Sequence, residues 1–95
     1  MGKLIVFEGT DGTGKSTQYA RACERLEAQN VRFEKIKFPQ YDEPSSALIK
    51  MYLAGEFGSD PEKINPYAAS TFYAVDRYAG FARGWKDFYD KGGLI

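Results

Sequence analysis

The spacing of apolar positions changes along this chain, and each change marks a predicted element. Leu4-Ile5-Val6-Phe7 is apolar without alternation, the pattern of a parallel strand covered on both faces. From Ser16 to Gln29 the period lengthens to that of a helix, with Tyr19, Ala22, Cys23 and Leu26 on one face. Val31 to Phe38, rich in β-branched and aromatic residues, predicts a second strand reached through a crossover of the right length to run parallel to the first. A doubly covered strand needs a neighbour on each edge. Val31–Phe38 is expected on one edge of Leu4–Phe7, and Leu94-Ile95, after the helix stop Gly92-Gly93, on the other. Two residues cannot cover an edge, so the pattern reads as the N-terminal portion of a longer protein.

Between the second strand and that stub the period is helical twice more. Pro44 is placed to start the first helix, Leu48, Ile49, Tyr52 and Leu53 form its stripe, and Gly55 ends it. Gly55 to Asn65, with Gly58, Asp60 and Pro61, reads as an exposed loop. Asn65 then caps a long helix that has Pro66 in its first turn and runs to about Lys91. Gly80 and Gly84 weaken it by about 1 kcal/mol each relative to alanine, so packing must sustain it.

The predicted turn between the first strand and first helix carries chemistry. Gly9-Thr10-Asp11-Gly12-Thr13-Gly14-Lys15-Ser16 fits G-x-x-x-x-G-K-[ST], in which glycines let backbone N–H groups curl round a phosphate, lysine neutralises the outer phosphates and the hydroxyl helps hold Mg²⁺. The helix that follows aims its free amides and positive end at the same anion. Strand, loop and helix in this order define an α/β fold, a P-loop NTPase-type open parallel sheet with flanking helices, of which residues 1–95 are the N-terminal part of a single domain.

Composition narrows the picture. The chain is 43% hydrophobic and 27% charged, ordinary for a globular domain, and its thirteen basic residues balance thirteen acidic ones. That balance argues against a broad nucleic-acid surface. No apolar run approaches the roughly 20 residues of a membrane span, and there is no signal-peptide core, so a cytoplasmic location is expected. Cys23 is the only cysteine, which rules out an internal disulfide and suits a small packing residue. With no histidine, catalytic triads and most zinc sites are excluded.

Other residues bear on a second ligand. A carboxylate about 5 Å from a bound phosphate is opposed by roughly 3 kcal/mol at an effective dielectric near 20. Asp11 is therefore expected to turn away from the nucleotide, toward a second ligand or into a local Asp11-Gly12 turn. Phe38-Pro39-Gln40-Tyr41 leaves the second strand at the edge where open α/β sheets bind ligands, or simply terminates it. Tyr73 and Arg77, four residues apart, share a helix face. A ring and a planar guanidinium there can stack on a base and read its edge; equally, Tyr73 is core and Arg77 pairs with Asp76 or a remote acid.

Together these segments resemble the thymidylate kinase family. Phe7-Glu8-Gly9-Thr10-Asp11-Gly12-Thr13-Gly14-Lys15-Ser16-Thr17 is similar to its phosphate loop, Phe38-Pro39-Gln40-Tyr41 to its F-P-R-Y element, and Tyr73-Ala74-Val75-Asp76-Arg77 to its F-A-x-D-R segment. The resemblance implies transfer of the ATP γ-phosphate to dTMP with Mg²⁺, in a homodimer. It implies that residues Gly9 to Thr17 hold the ATP phosphates, with Lys15 the catalytic clamp and Ser16 or Thr17 near Mg²⁺. Asp11 would meet the sugar 3′-hydroxyl, Tyr73 would stack on thymine and Arg77 would read the base edge. Phe38 and Leu53 would wall the base pocket, with Gln40 and Tyr41 completing the acceptor set.

Three departures stand out. Gln40 occupies the place of an arginine that commonly binds the dTMP phosphate in this family, so that contact is expected to be weaker or to come from another residue. Tyr73 replaces phenylalanine and keeps the stacking face. Gly12 stands where one branch of the family has a loop arginine, which aligns this chain with the branch that supplies the cation from a mobile lid. The lid, the D-R-Y/H segment and the adenine-binding region would follow Ile95, so residues 1–95 alone are expected to be inactive. Two alternatives compete. Gly14-Lys15-Ser16-Thr17-Gln18 also resembles adenylate kinases, whose loop usually has proline where Asp11 stands. A P-loop switch protein would need a guanine-reading N/T-K-x-D motif, which these residues lack.

Overall fold

Gly14 sits in the left-handed region at φ 85°, which costs glycine nothing, and from it the chain turns into helix α1, Lys15–Ala28. The computed structural model describes residues 1–10 and 12–95, and these divide into two units. The first comprises Met1–Lys35 and Asp87–Ile95, the second Ile36–Lys86.

In the first unit α1 presents the expected face. Cys23 is buried, Tyr19, Ala22 and Leu26 are half-buried, and the rings of Phe7 and Tyr19 meet edge to face at 5.5 Å. Asn30, at φ 58°, reverses the chain after the helix, and the Val31 N–H closes the turn on the Leu26 carbonyl at 2.9 Å.

The two predicted strands form no ladder. Among the described residues the extended segments meet only at two isolated parallel bridges, Lys3 with Leu94 and Phe33 with Leu94. Lys3 N donates to Gly93 O, Ile95 N to Lys3 O, Ile5 N to Ile95 O and Glu34 N to Leu94 O. This corrects the expected neighbours: the segment at Leu94 lies between the other two, and Val31–Phe38 does not pair with Leu4–Phe7. Apolar pattern specifies an extended element but not its partner, and a right-handed crossover is equally satisfied when another strand intervenes. The expected burial on both faces is also absent, since Leu4 is 51%, Ile5 56% and Val6 68% exposed.

The second unit is helical. Pro44–Ser46 forms one 3₁₀ turn that leads into α2, Ala47–Leu53, and Gly55 at φ 79° ends it. Ile49 is fully buried, whereas Leu48 and Leu53 are exposed, so the predicted stripe is narrower than four residues. The expected loop holds a 3₁₀ turn, Pro61–Lys63, capped by Asp60 onto the Glu62 N–H. Helix α3, Pro66–Gly80, starts where predicted: Asn65 Oδ1 accepts from the N–H groups of Tyr67 and Ala68. The rings of Phe57 and Tyr52 lie 5.6 and 6.5 Å from that of Phe72. Instead of continuing regularly, the helix passes through a π turn, Phe81–Trp85, before α4, Lys86–Asp90. The turn begins just after Gly80 and contains Gly84, the two weakest helix formers in the run. No helix among the described residues is long and apolar enough to cross a membrane.

Candidate functional site

The phosphate-loop residues belong to the first unit. Gly12 at φ 79° and Gly14 at φ 85° provide the two left-handed positions that bend the loop. Thr13 Oγ1 donates to the Thr10 carbonyl at 2.7 Å and the Lys15 ammonium to the Gly9 carbonyl at 3.0 Å. The ammonium is thus folded back over the loop. No side chain among the described residues caps the N-terminus of α1, which leaves its first-turn amides for an anion. Ser16 and Thr17 are exposed, and neither hydroxyl is hydrogen-bonded among the described residues. A free hydroxyl at this position is a hard oxygen donor of the kind Mg²⁺ takes alongside nucleotide phosphates. Asp11 lies outside the described residues.

The acceptor-type residues belong to the second unit, on the segment before α2 and on α3. Asp76 is fully buried and holds that segment at two points: Gln40 N donates to its Oδ2 at 2.8 Å and Ser45 Oγ to its Oδ1 at 2.6 Å. No ion pair joins Asp76 to Arg77 among the described residues, and Arg77 is exposed. Gly80 makes close approach feasible at the end of α3. A Cβ there would lie 2.8 Å from the Phe38 ring and 2.9 Å from Gln40 Oε1, so the absent side chain is what admits both. Beside them Arg83 and Glu43 pair loosely at 3.8 Å, both largely in solvent. Gln40, Glu43, Ser45, Gly80 and Arg83 line an open cavity of about 200 Å³.

Tyr73 is half-buried, and its phenol is raised above the ordinary tyrosine range, first by burial and then by Tyr41 and Tyr52. Three rings from the loop, α2 and α3 therefore gather in one neighbourhood. Leu53, at the end of α2, is 57% exposed. The structure brings Phe38 and Gln40 onto α3 and places Tyr41 within electrostatic reach of Tyr73, while Leu53 and Arg77 are exposed to solvent. Sequence reasoning missed Asp76 and Ser45. A signal existed: Phe72, Asp76 and Gly80 recur every four residues on one face of α3, so the carboxylate occupies an inward-facing position.

The family model described as thymidylate kinase matches residues 7–93. The chain belongs to the thymidylate kinase family. Among its relatives, the thymidylate kinase of Plasmodium falciparum is 39% identical over 64 residues, 67% of this chain and 30% of that one. The thymidylate kinase of Homo sapiens is 42% identical over 52 residues, 55% of this chain and 24% of that one. That of Bifidobacterium longum is 30% identical over 94 residues, 99% of this chain and 45% of its own. The chain thus spans less than half the length of these relatives. No solved structure matches it. Family membership implies a P-loop NTPase fold.

Proposed function

We propose that this protein is a thymidylate kinase that transfers the γ-phosphate of ATP to dTMP, and that residues 1–95 contribute its phosphate loop and most of its acceptor site. The observation that carries this reading is the pairing of a glycine-bent loop under Lys15 with a family match over residues 7–93. In this role Lys15 leaves the Gly9 carbonyl for the outer ATP phosphates, and the α1 amides hold the same group. Ser16 supplies the hydroxyl for the nucleotide-bound Mg²⁺, which would neutralise phosphate charge. Asp11 meets the sugar 3′-hydroxyl, Tyr73 stacks on thymine beside Phe38 and Leu53, and Arg77 reads the base edge. Gln40 and Tyr41 border the acceptor phosphate. Reaction is an in-line displacement that depends on positioning and charge stabilisation, with no covalent intermediate.

The finer architecture belongs to the same proposal: the bridges at Leu94 mark the start of an open parallel sheet, and the working form is a cytoplasmic homodimer. Turnover of dTMP, dUMP, AMP and CMP by the intact protein tests the assignment. The expected result is preference for dTMP. Equal or better turnover of AMP returns the protein to the adenylate kinase-like alternative.

A further inference from the structure

We propose that Asp76 is a positioning residue for the acceptor nucleotide, a buried clamp that fixes the Gln40–Ser45 segment against α3. The inference rests on the dTMP kinase reading above and adds a role to a residue that touches neither substrate in it. A side-chain carboxyl group at zero exposure is tolerable only when its oxygens are satisfied, and here each oxygen has a different partner. Oδ2 takes a main-chain N–H at Gln40, and Oδ1 takes the hydroxyl of Ser45 five residues later. One helical side chain therefore holds both the residue after Pro39 and the 3₁₀ turn that leads into α2. Tyr41 follows the first pinned point directly. Arg77 follows Asp76, and Tyr73 lies one turn before it on α3.

An apolar side chain at this inward position would fill the space without the desolvation cost of a carboxylate. What it could not do is orient the peptide at Gln40, because that requires an acceptor aimed at one N–H. Gly80, one turn further along α3, completes the arrangement by admitting Phe38 and the Gln40 amide. The clamp acts on the acceptor side. Its removal loosens Gln40 and Tyr41 and leaves Lys15 on the Gly9 carbonyl.

Steady-state kinetics of the intact protein test this with three variants. Asp76→Ala removes both bonds and should raise KM for dTMP about tenfold, with KM for ATP within about twofold of the unsubstituted protein. Asp76→Asn, with its amide turned so that Oδ1 accepts from Gln40 and Nδ2 donates to Ser45 Oγ, should recover KM for dTMP to within about threefold. Ser45→Ala keeps the carboxylate and the Gln40 bond and should raise KM for dTMP about threefold. A parallel rise in both KM values, or a lowered melting temperature with KM for dTMP unmoved, overturns the proposal. Should Asp76→Ala fail to fold, Ser45→Ala decides: an unchanged KM for dTMP refutes the clamp. Loss of dTMP preference in the unsubstituted protein would instead count against the proposed function, so the two failures are distinct.

Discussion

The Leu4–Phe7 segment and the Gln40–Ser45 segment both lie outside the α-helices, and the chain holds them by opposite means. The first is the more hydrophobic of the two, yet among the described residues it is tied by main-chain bonds at Lys3 and Ile5 and by the Phe7 ring against Tyr19, and Leu4, Ile5 and Val6 stand largely in solvent. The second is largely polar and is anchored through one buried carboxylate, with Ser46 and Ile49 buried just after it. Apolar content is therefore a poor guide to where this chain is most tightly packed. Burial needs neighbouring surface of matching shape, and the second unit supplies it from α2 and α3 while Leu4–Val6 have little.

The contrast breaks most directly at its apolar ends. Ile49→Ala should destabilise the 95-residue chain by about 2–5 kcal/mol, the usual range for emptying a buried aliphatic site. Val6→Ala, at a side chain 68% exposed, should cost less than about 0.5 kcal/mol. Denaturant titration of both variants measures the difference, and equal losses would show that the Leu4–Phe7 run is covered after all. A second test moves from stability to chemistry. Lys15→Ala in the intact protein should reduce turnover on the order of 10²-fold while the melting temperature stays within a few degrees, because the ammonium acts chiefly on transition-state charge. A loss below about threefold would remove Lys15 from the reacting phosphates. A third test, with an effect smaller than that of Ile49→Ala, concerns Gly80→Ala. Helix propensity favours the substitution by about 1 kcal/mol, but the new methyl would press on Phe38 and Gln40. Overpacking of that kind costs about 1–3 kcal/mol, so a net loss near 1 kcal/mol is expected. A stabilised variant would mean that ring and amide shift freely.

These outcomes depend on features of very different legibility. Helix α1 and its face of Tyr19, Ala22, Cys23 and Leu26 follow from local period, as do the Asn65 cap and the stop at Gly92, whose φ of 93° suits glycine. Each is written within a few consecutive residues. Pairing order is not: Leu94 lies 91 positions beyond Lys3 and 61 beyond Phe33, and nothing local to any of the three names its neighbour. The π turn escaped because two glycines signal a weak helix without saying how it will yield. For the candidate site, the phosphate loop is read from contiguous residues, whereas the Asp76 clamp joins positions 31 and 36 residues apart. The alternative that Arg77 pairs with Asp76 was natural from adjacency, and burial of the carboxylate against Gln40 and Ser45 displaces it.

The Lys15 ammonium resting on the Gly9 carbonyl carries a kinetic and entropic consequence. A free lysine side chain surrenders up to about 2 kcal/mol of rotamer entropy when it is immobilised. Here part of that loss falls on the resting chain, so a phosphate binding as proposed would meet an arm already bent over the loop. In the proposed role of Lys15, capture would be an exchange of acceptors, one neutral carbonyl for a charged oxygen, and release its reversal. The loop behaves as a sprung latch whose keeper is its own backbone.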